Sequence, residues 1–291
     1  MEKDANWLLR EKYNGQETPE YFKDFERLEG GEPLAYVIGH VPFLDCIIYL
    51  NSKPLIPRPE TEFWVEHFIS KLSSRQISID HPPQRLNSER GLDEIETSAD
   101  FNRQQFQGHS APCQATTLHD QGIASLKILD LCAGSGCIGV AIAKAIPGSH
   151  ITFGEIDPLH TPTIVKNCLE NGIPKDRFTV IASDLFENIS GQFDFVLSNP
   201  PYIDPILDRA ELSVKAHEPH QALYGGRGGV ELIEKIIAGA PAHLTKNNQL
   251  WIEHEPEQVE FITACGNTYG FKTSNHTDQY ATVRYSILVL K

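Results

Sequence analysis

Cysteine is scarce. Six residues, at 46, 113, 132, 137, 168 and 265, are spread over a chain of 291, with no Cys-x-x-Cys pair and no Cys/His set at zinc-ligand spacing. This excludes a disulfide-framed small domain and a structural zinc module, and it predicts reduced thiols in a reducing compartment. Long apolar runs are also missing: a stretch such as Ser286–Leu290 is far too short to cross a bilayer, so no membrane role is expected. The segment Met1–Arg10 carries Glu2 and Asp4 and no apolar core, so it reads neither as a secretory signal nor as a mitochondrial presequence. Positive charge is in the minority, with 25 Lys and Arg against 39 Asp and Glu and a net charge of −14. A field of that sign repels phosphate and disfavours non-specific attachment to nucleic acid or anionic lipid. No internal repeat is visible. What is present is globular: 40% apolar and 22% charged residues, enough for a large domain plus a smaller one.

Three zones differ in texture. Residues 1–72 mix an amphipathic start, in which Trp7, Leu8 and Tyr13 line one helix face, with a hairpin over Val41–Leu50 rich in β-branched and aromatic residues. Pro54, Pro57 and Pro59 hold the next segment extended. A helix then resumes at Thr61–Ile69, with Phe63, Trp64, Phe68 and Ile69 as its buried stripe. Residues 73–124 are rich in Ser, Gln, Asn, Asp and His and lack any period, which predicts a disordered insertion looping out from the surface.

Residues 125–291 alternate strand and helix. Strands are expected at Lys127–Leu131, His150–Ile156, Phe178–Ala182, Phe193–Ser198 and Gln249–Glu253, with an edge-like strand at Val283–Leu290. Helices are expected at Ile138–Ile146, through Asn171, over Val230–Leu244 and near Gln258–Cys265. That alternation predicts an α/β fold, a parallel sheet doubly wound with helices on both faces.

The first of these strands runs into Asp130-Leu-Cys-Ala-Gly-Ser-Gly-Cys-Ile-Gly139, where Gly134, Gly136 and Gly139 keep the G-x-G-x-x-G spacing. Such a loop supplies a tight turn and lets a ligand approach the backbone at a helix N-terminus. It fits a dinucleotide and S-adenosylmethionine equally. Glu155-Ile-Asp157 follows about 20 positions later, where a carboxylate accepts from ribose hydroxyls. Asp157 is the candidate, with capping of the helix near Pro158 as its structural alternative. Asp184 falls near the place of an adenine amino group, with Leu185 and Phe186 as an apolar wall; a simple strand-end turn explains these residues nearly as well.

The fourth strand ends in Ser198-Asn-Pro-Pro-Tyr202. Two successive prolines cannot serve a sheet ladder, so they make a stiff turn at the carboxyl end of a strand, where open α/β sheets place their ligands. Pro200 and Pro201 have no N–H, which leaves carbonyls and the Asn199 amide to face the crevice, and Tyr202 offers a flat face. A planar –NH2 group suits this corner. Its lone pair is delocalised and poorly nucleophilic, and acceptors at the Asn199 side-chain oxygen and the Pro200 carbonyl hold its nitrogen in line with an electrophilic methyl. No metal is required. His217, His220 and His254 have no assignable role, and His254 reads as a solvated strand-end residue.

With these motifs the chain resembles S-adenosylmethionine-dependent amino-group methyltransferases. Gly31-Glu-Pro-Leu-Ala-Tyr-Val-Ile-Gly39, Phe43, Leu55-Ile-Pro-Arg-Pro-Glu-Thr-Glu62 and Glu218-Pro-His-Gln-Ala-Leu223 are similar to the HemK/PrmC family, over about residues 28–72 and 125–291. That family methylates, at N5, the glutamine of the Gly-Gly-Gln motif in peptide chain release factors. The resemblance implies a Rossmann-like class I methyltransferase domain at 125–291 behind a reduced N-terminal recognition region and hairpin linker at 1–72. It implies S-adenosyl-L-methionine as cofactor, with Cys132, Ala133, Gly134, Ser135 and Gly136 around its methionine part, Asp157 at the ribose, Leu185 beside the adenine and Asn199 between cofactor and substrate. Asn199, Pro200, Pro201 and Tyr202 form the glutamine pocket, and Asn199, Pro200 and Tyr202 the catalytic set. Arg58 and Thr61 lie in a linker that closes over the site, although Thr61 with Glu62 also reads as a helix cap. The expected partner is a release factor, with no direct nucleic acid contact and a monomeric chain. Cys132-Ala133 stands where the family has Gly-Thr. The insertion resembles fungal members acting in mitochondria, so a mitochondrial site of action is the expectation. The alternative readings are an adenine-N6 methyltransferase acting on nucleic acid, which would use the same Asn199 pocket, and a non-catalytic cofactor-binding assembly partner.

Overall fold

The computed structural model describes residues 2–80, 126–209 and 211–291. Helices α1 (Glu2–Tyr13), α2 (Pro19–Glu29) and α3 (Leu34–Ile38) come first. Thr18 caps α2 by accepting from Tyr21 N at 3.3 Å, and Pro19 sits in the first turn, where its missing N–H costs nothing. The three helices close on a small core of Leu8, Tyr21, Leu28 and Val37. Trp7 does not join it; the residue is exposed and lies under the Arg10 guanidinium, because one helix face holds Leu8 and its neighbour points 100° away. Asp24 ties the helices together by accepting from Lys12 Nζ, Tyr13 OH and Arg27.

Strands β1 (His40–Phe43) and β2 (Cys46–Tyr49) form the expected hairpin, and α4 (Pro59–Asp80) follows the extended prolines. Helix α4 buries Trp64, Val65 and Phe68. Phe63 and Ile69, expected on that stripe, are only partly buried, since a core this narrow takes the i, i+1, i+4 face alone. The helix runs beyond Ser73; the rest of the expected 73–124 insertion lies outside the described residues from 81 on.

The second part contains β3 (Leu126–Leu131), α5 (Cys137–Ala145), β4 (Ser149–Glu155), α6 (Thr161–Glu170), β5 (Phe178–Ala182), β6 (Phe193–Ser198), α7 (Leu212–His217), α8 (Glu231–His243), β7 (Leu244–Glu253), α9 (Val259–Thr268), β8 (Phe271–Thr277) and β9 (Val283–Leu290). The sheet order is β5-β4-β3-β6-β7-β9-β8. Strands β3 to β7 are parallel, and β9 pairs antiparallel with both β7 and β8. The closing strand is therefore not an edge, as its sequence suggested. It is inserted between β7 and β8, with Tyr285, Ser286, Ile287 and Leu288 buried, and the more polar β8 takes the edge.

Alternation decides which face each side chain serves. Ile128, Phe153, Phe195 and Trp251 face a layer holding Trp64, Phe68, Ile142 and Ile164. Leu129, Leu131, Val196, Leu250 and Ile252 face the other, with Ile233, Ile236, Ile237 and Ile262. Each fully buried aliphatic or aromatic side chain contributes roughly 1.5–3 kcal/mol. A Cβ on Gly139 would overlap the Phe153 ring, so glycine is what lets α5 lie flush on β4.

The hairpin is fastened to the sheet layer by two asparagines of the α6 region. Asn171 accepts from Ile47 N at 3.0 Å and donates to Ile47 O at 2.8 Å. Asn167 accepts from Tyr49 N at 2.8 Å and donates to Tyr49 O at 3.0 Å. Asn167 Nδ2 also donates to Ser135 O at 2.9 Å.

Candidate functional site

Strand β3 lies between β4 and β6, so the connections leave it in opposite directions and a crevice opens at its carboxyl end. Leu131 pairs with Ser198, and the Ser198 hydroxyl donates to Leu131 O at 2.8 Å. That register sets Cys132 and Asn199, each one residue beyond its strand, side by side. The glycine loop and the proline corner thus share one crevice.

Main-chain geometry shapes the glycine loop. Cys132, Gly134 and Gly136 have φ of 61°, 54° and 78°. The Gly134 position is open, since a Cβ there meets only Pro54 Cβ at 4.0 Å. Buried carboxylates hold the turn from below. Asp130 Oδ2 accepts from Gly139 N at 2.9 Å, and Glu155 Oε2 accepts from Gly134 N at 2.7 Å. Glu155 Oε1 takes Asp157 N at 2.9 Å, so one side chain links the first two strand ends. Asp157 itself is half-buried, and its Oδ1 accepts from Leu159 N at 2.9 Å as the cap of a 3-10 turn at Pro158–His160. The capping alternative is therefore realised by one of its two oxygens. Glu155 was passed over in the sequence, although an acidic residue closing a parallel strand beside the loop was the available signal.

The loop fits S-adenosylmethionine on one independent observation. Asp130 Oδ1 is buried without a hydrogen-bond partner, and burial pushes this carboxyl up to about 8. With Oδ2 taken by Gly139 N–H, the proton kept near neutrality sits on Oδ1, and an ammonium group beside it would return the carboxyl to its charged, accepting form. Burial likewise raises the Cys132 thiol, to about 12, so it is not a nucleophile. Leu185, at φ 48°, is partly buried in the connection that follows β5. Phe186 departs from the expected apolar wall: it stacks on His243 with centroids 4.6 Å apart and packs against Gly239 of α8.

Side chains hold the proline corner. Asn199 Nδ2 donates to Thr61 Oγ1 at 3.0 Å. Thr61 Oγ1 donates to Glu253 Oε2 at 2.7 Å, as does Trp64 Nε1 at 2.7 Å. Tyr202 OH donates to Glu253 Oε1 at 3.0 Å. Glu253 closes β7 and is wholly buried; its pKa is raised by that burial, against the pull of the three donors. Burial and the same carboxylate raise the Tyr202 phenol well above its ordinary value. Thr61 is not a helix cap, because α4 begins at Pro59 and the hydroxyl is turned inward. Gln258 Nε2 fixes the Tyr202 carbonyl at 2.8 Å.

A cavity of about 410 Å³ opens beside this corner. Asn199, Pro200 and Tyr202 line it with Arg58, Leu223 and Arg284. Pro201 does not reach it; its carbonyl backs onto Gly225. Arg58 Nη2 and Ile56 N both donate to the buried Glu218, at 2.6 and 3.0 Å, which straps the linker across the segment that follows the corner. His254 departs from the solvated reading. It is fully buried, with Nδ1 2.9 Å from Glu255 O and Nε2 2.7 Å from Ser286 Oγ, and desolvation brings its pKa down to about 4. Among the described residues no group of acidic, His and Cys side chains is arranged to hold a metal ion. None of the described helices is long and apolar enough to cross a membrane.

The family described as the methyltransferase small domain matches residues 113–214. With the sheet order above, this makes the fold a Rossmann-like class I methyltransferase fold. A release factor glutamine methyltransferase of Rhodopirellula baltica is 30% identical over 81% of this chain and 66% of its own length. One of Agrobacterium fabrum is 28% identical over 88% of this chain and 73% of its own. The chain thus spans about two thirds to three quarters of these relatives. Both are bacterial, which lends no support to the expected fungal or mitochondrial setting. A solved ribosomal protein L11 methylase of Lactobacillus delbrueckii subsp. bulgaricus aligns with a TM-score of 0.43 and 16% identity, over 58% of this chain and 72% of that one.

Proposed function

We propose that this chain, which belongs to the HemK/PrmC-like family of glutamine methyltransferases, moves a methyl group from S-adenosylmethionine to the side-chain amide nitrogen of the glutamine in the Gly-Gly-Gln loop of a peptide chain release factor. One observation carries the reading: the register of β3 with β6 sets the glycine loop against Asn199, and a cavity sized for a side chain opens on that same residue.

Residues 132–136 hold the methionine part through the main chain, with Asp130 Oδ1 available to its ammonium. Glu155 and the free oxygen of Asp157 stand at the ribose, and Leu185 beside the base. The cofactor supplies an electrophilic methyl on sulfur. The chain's own task is to make an amide nitrogen attack it. Asn199 Oδ1 and the Pro200 carbonyl accept the two N–H groups of the carboxamide, aim the nitrogen along the crevice and stabilise the positive charge that develops there. Tyr202, tied to Glu253, walls the pocket. A new N–C bond replaces the S–C bond, the sulfur keeps the bonding electron pair, and the nitrogen gives up one proton to water.

The test is label transfer from methyl-labelled S-adenosylmethionine to a release factor or to duplex DNA. Label on the release factor that disappears when its glutamine is changed to alanine is the expected result. Label on DNA alone favours adenine methylation, and cofactor binding without any transfer favours the non-catalytic reading.

A further inference from the structure

Glu253, Thr61 and Asn199 come from β7, α4 and the end of β6, far apart in sequence, yet they form one hydrogen-bonded line. The direction of each bond in that line is fixed by chemistry. A carboxylate oxygen only accepts. Glu253 Oε2 therefore takes the single hydroxyl hydrogen of Thr61, at 2.7 Å, and Trp64 Nε1 confirms its acceptor role from the other side at 2.7 Å. With its hydrogen engaged, Thr61 Oγ1 has only lone pairs left for Asn199. It must receive an N–H, and Asn199 Nδ2 provides one at 3.0 Å.

The two ends of an asparagine amide are almost equal in shape and opposite in polarity, so only the hydrogen-bond network decides which end faces where. Turned by 180°, Asn199 would meet an incoming –NH2 group with an –NH2 of its own. We propose that Glu253 and Thr61 are positioning residues that set the polarity of Asn199, so that its oxygen, rather than its nitrogen, is presented to the substrate amide. This rests on the amide-methylation reading above. It also gives the linker helix a task in the reaction that does not require contact with the substrate.

Thr61→Val keeps the shape and removes the hydroxyl; Thr61→Ala removes both; Thr61→Ser restores the hydroxyl alone. Whichever of the first two melts like the wild type serves as the test. With a release factor as substrate, it should lose at least tenfold in kcat while KM for S-adenosylmethionine stays within about twofold, and Thr61→Ser should return kcat to within about threefold of wild type. A hydroxyl-free variant as fast as wild type, or a serine variant as slow as the valine one, overturns the proposal. A second readout does not depend on the substrate. The side-chain NH2 resonances of Asn199, identified by their loss in Asn199→Asp, should exchange with water more slowly in wild type than in the hydroxyl-free variant. Equal exchange overturns the relay. A wild-type protein that labels no release factor refutes the functional reading instead, and the exchange rates still decide whether the relay exists.

Discussion

The two corners of the crevice are built on opposite plans. After β3, glycines and one strained cysteine give the chain its shape, and buried carboxylates hold the backbone from behind. What faces the ligand there is main chain. After β6, prolines set the backbone, and a network of side chains, Asn199, Tyr202, Thr61 and Glu253, faces or supports the pocket. The first plan tolerates changes of side chain as long as φ is kept, which is why Cys132-Ala133 can stand in the loop. The second does not, because its members share partners and each hydrogen bond runs in one direction.

Three experiments press on that difference. The largest effect is expected at Asn199. Asn199→Ala should lower kcat by about 10²–10³-fold, as for removal of a group that holds developing charge. Cofactor affinity should stay within about tenfold, roughly 1.4 kcal/mol. Equal losses in both would show that the corner and the loop act as one unit. Next is pH. His254, adjoining Glu253 in sequence, has a folded pKa of about 4, below its unfolded value of about 6.5. Its neutral form is the one the fold accepts, so its contribution is complete above pH 6.5 and is lost as pH falls towards 4. The size is on the order of 3 kcal/mol. Asp130 under the loop has the opposite sign: raised to about 8, it stabilises fully below its unfolded pKa and loses that contribution as pH climbs to 8. Between pH 4 and 6.5 the two slopes oppose each other, so chemical melts should be nearly level there and lose stability from pH 6.5 to 8, whereas His254→Gln should uncover the Asp130 loss across the whole interval from pH 4 to 8. The smallest effect is expected at Glu155. Glu155→Gln replaces one of two accepting oxygens with a donor, so cofactor binding measured by calorimetry should weaken about tenfold, roughly 1.4 kcal/mol, with kcat at saturation nearly unchanged.

Much of this was legible in the residues because it is local. The glycine spacing, the Asn-Pro-Pro-Tyr corner and the alternating strands each declare themselves within ten residues. Thr61 and Glu253 do not, since they meet across 192 positions and only the sheet order brings them together. The same holds for β9, whose apolar pattern suits an edge or an interior strand until pairing with both β7 and β8 is known. Glu155 shows a subtler loss. Two acids two residues apart would share a face if the strand ran on, but β4 ends at Glu155, so Glu155 points under the loop and Asp157 turns away to cap the segment that follows.

The asparagine brackets on the hairpin carry a consequence of their own. Four residues of helix advance about 6 Å and two residues of strand about 6.8 Å, so the pair at 167 and 171 is commensurate with the backbone at 49 and 47. Slippage by a single residue would release both brackets together. Asn167 also grips Ser135 inside the glycine turn. The hairpin therefore works like a vernier: it has one reading at which it latches, and at that reading the arm formed by residues 2–38 and the glycine turn are indexed to each other.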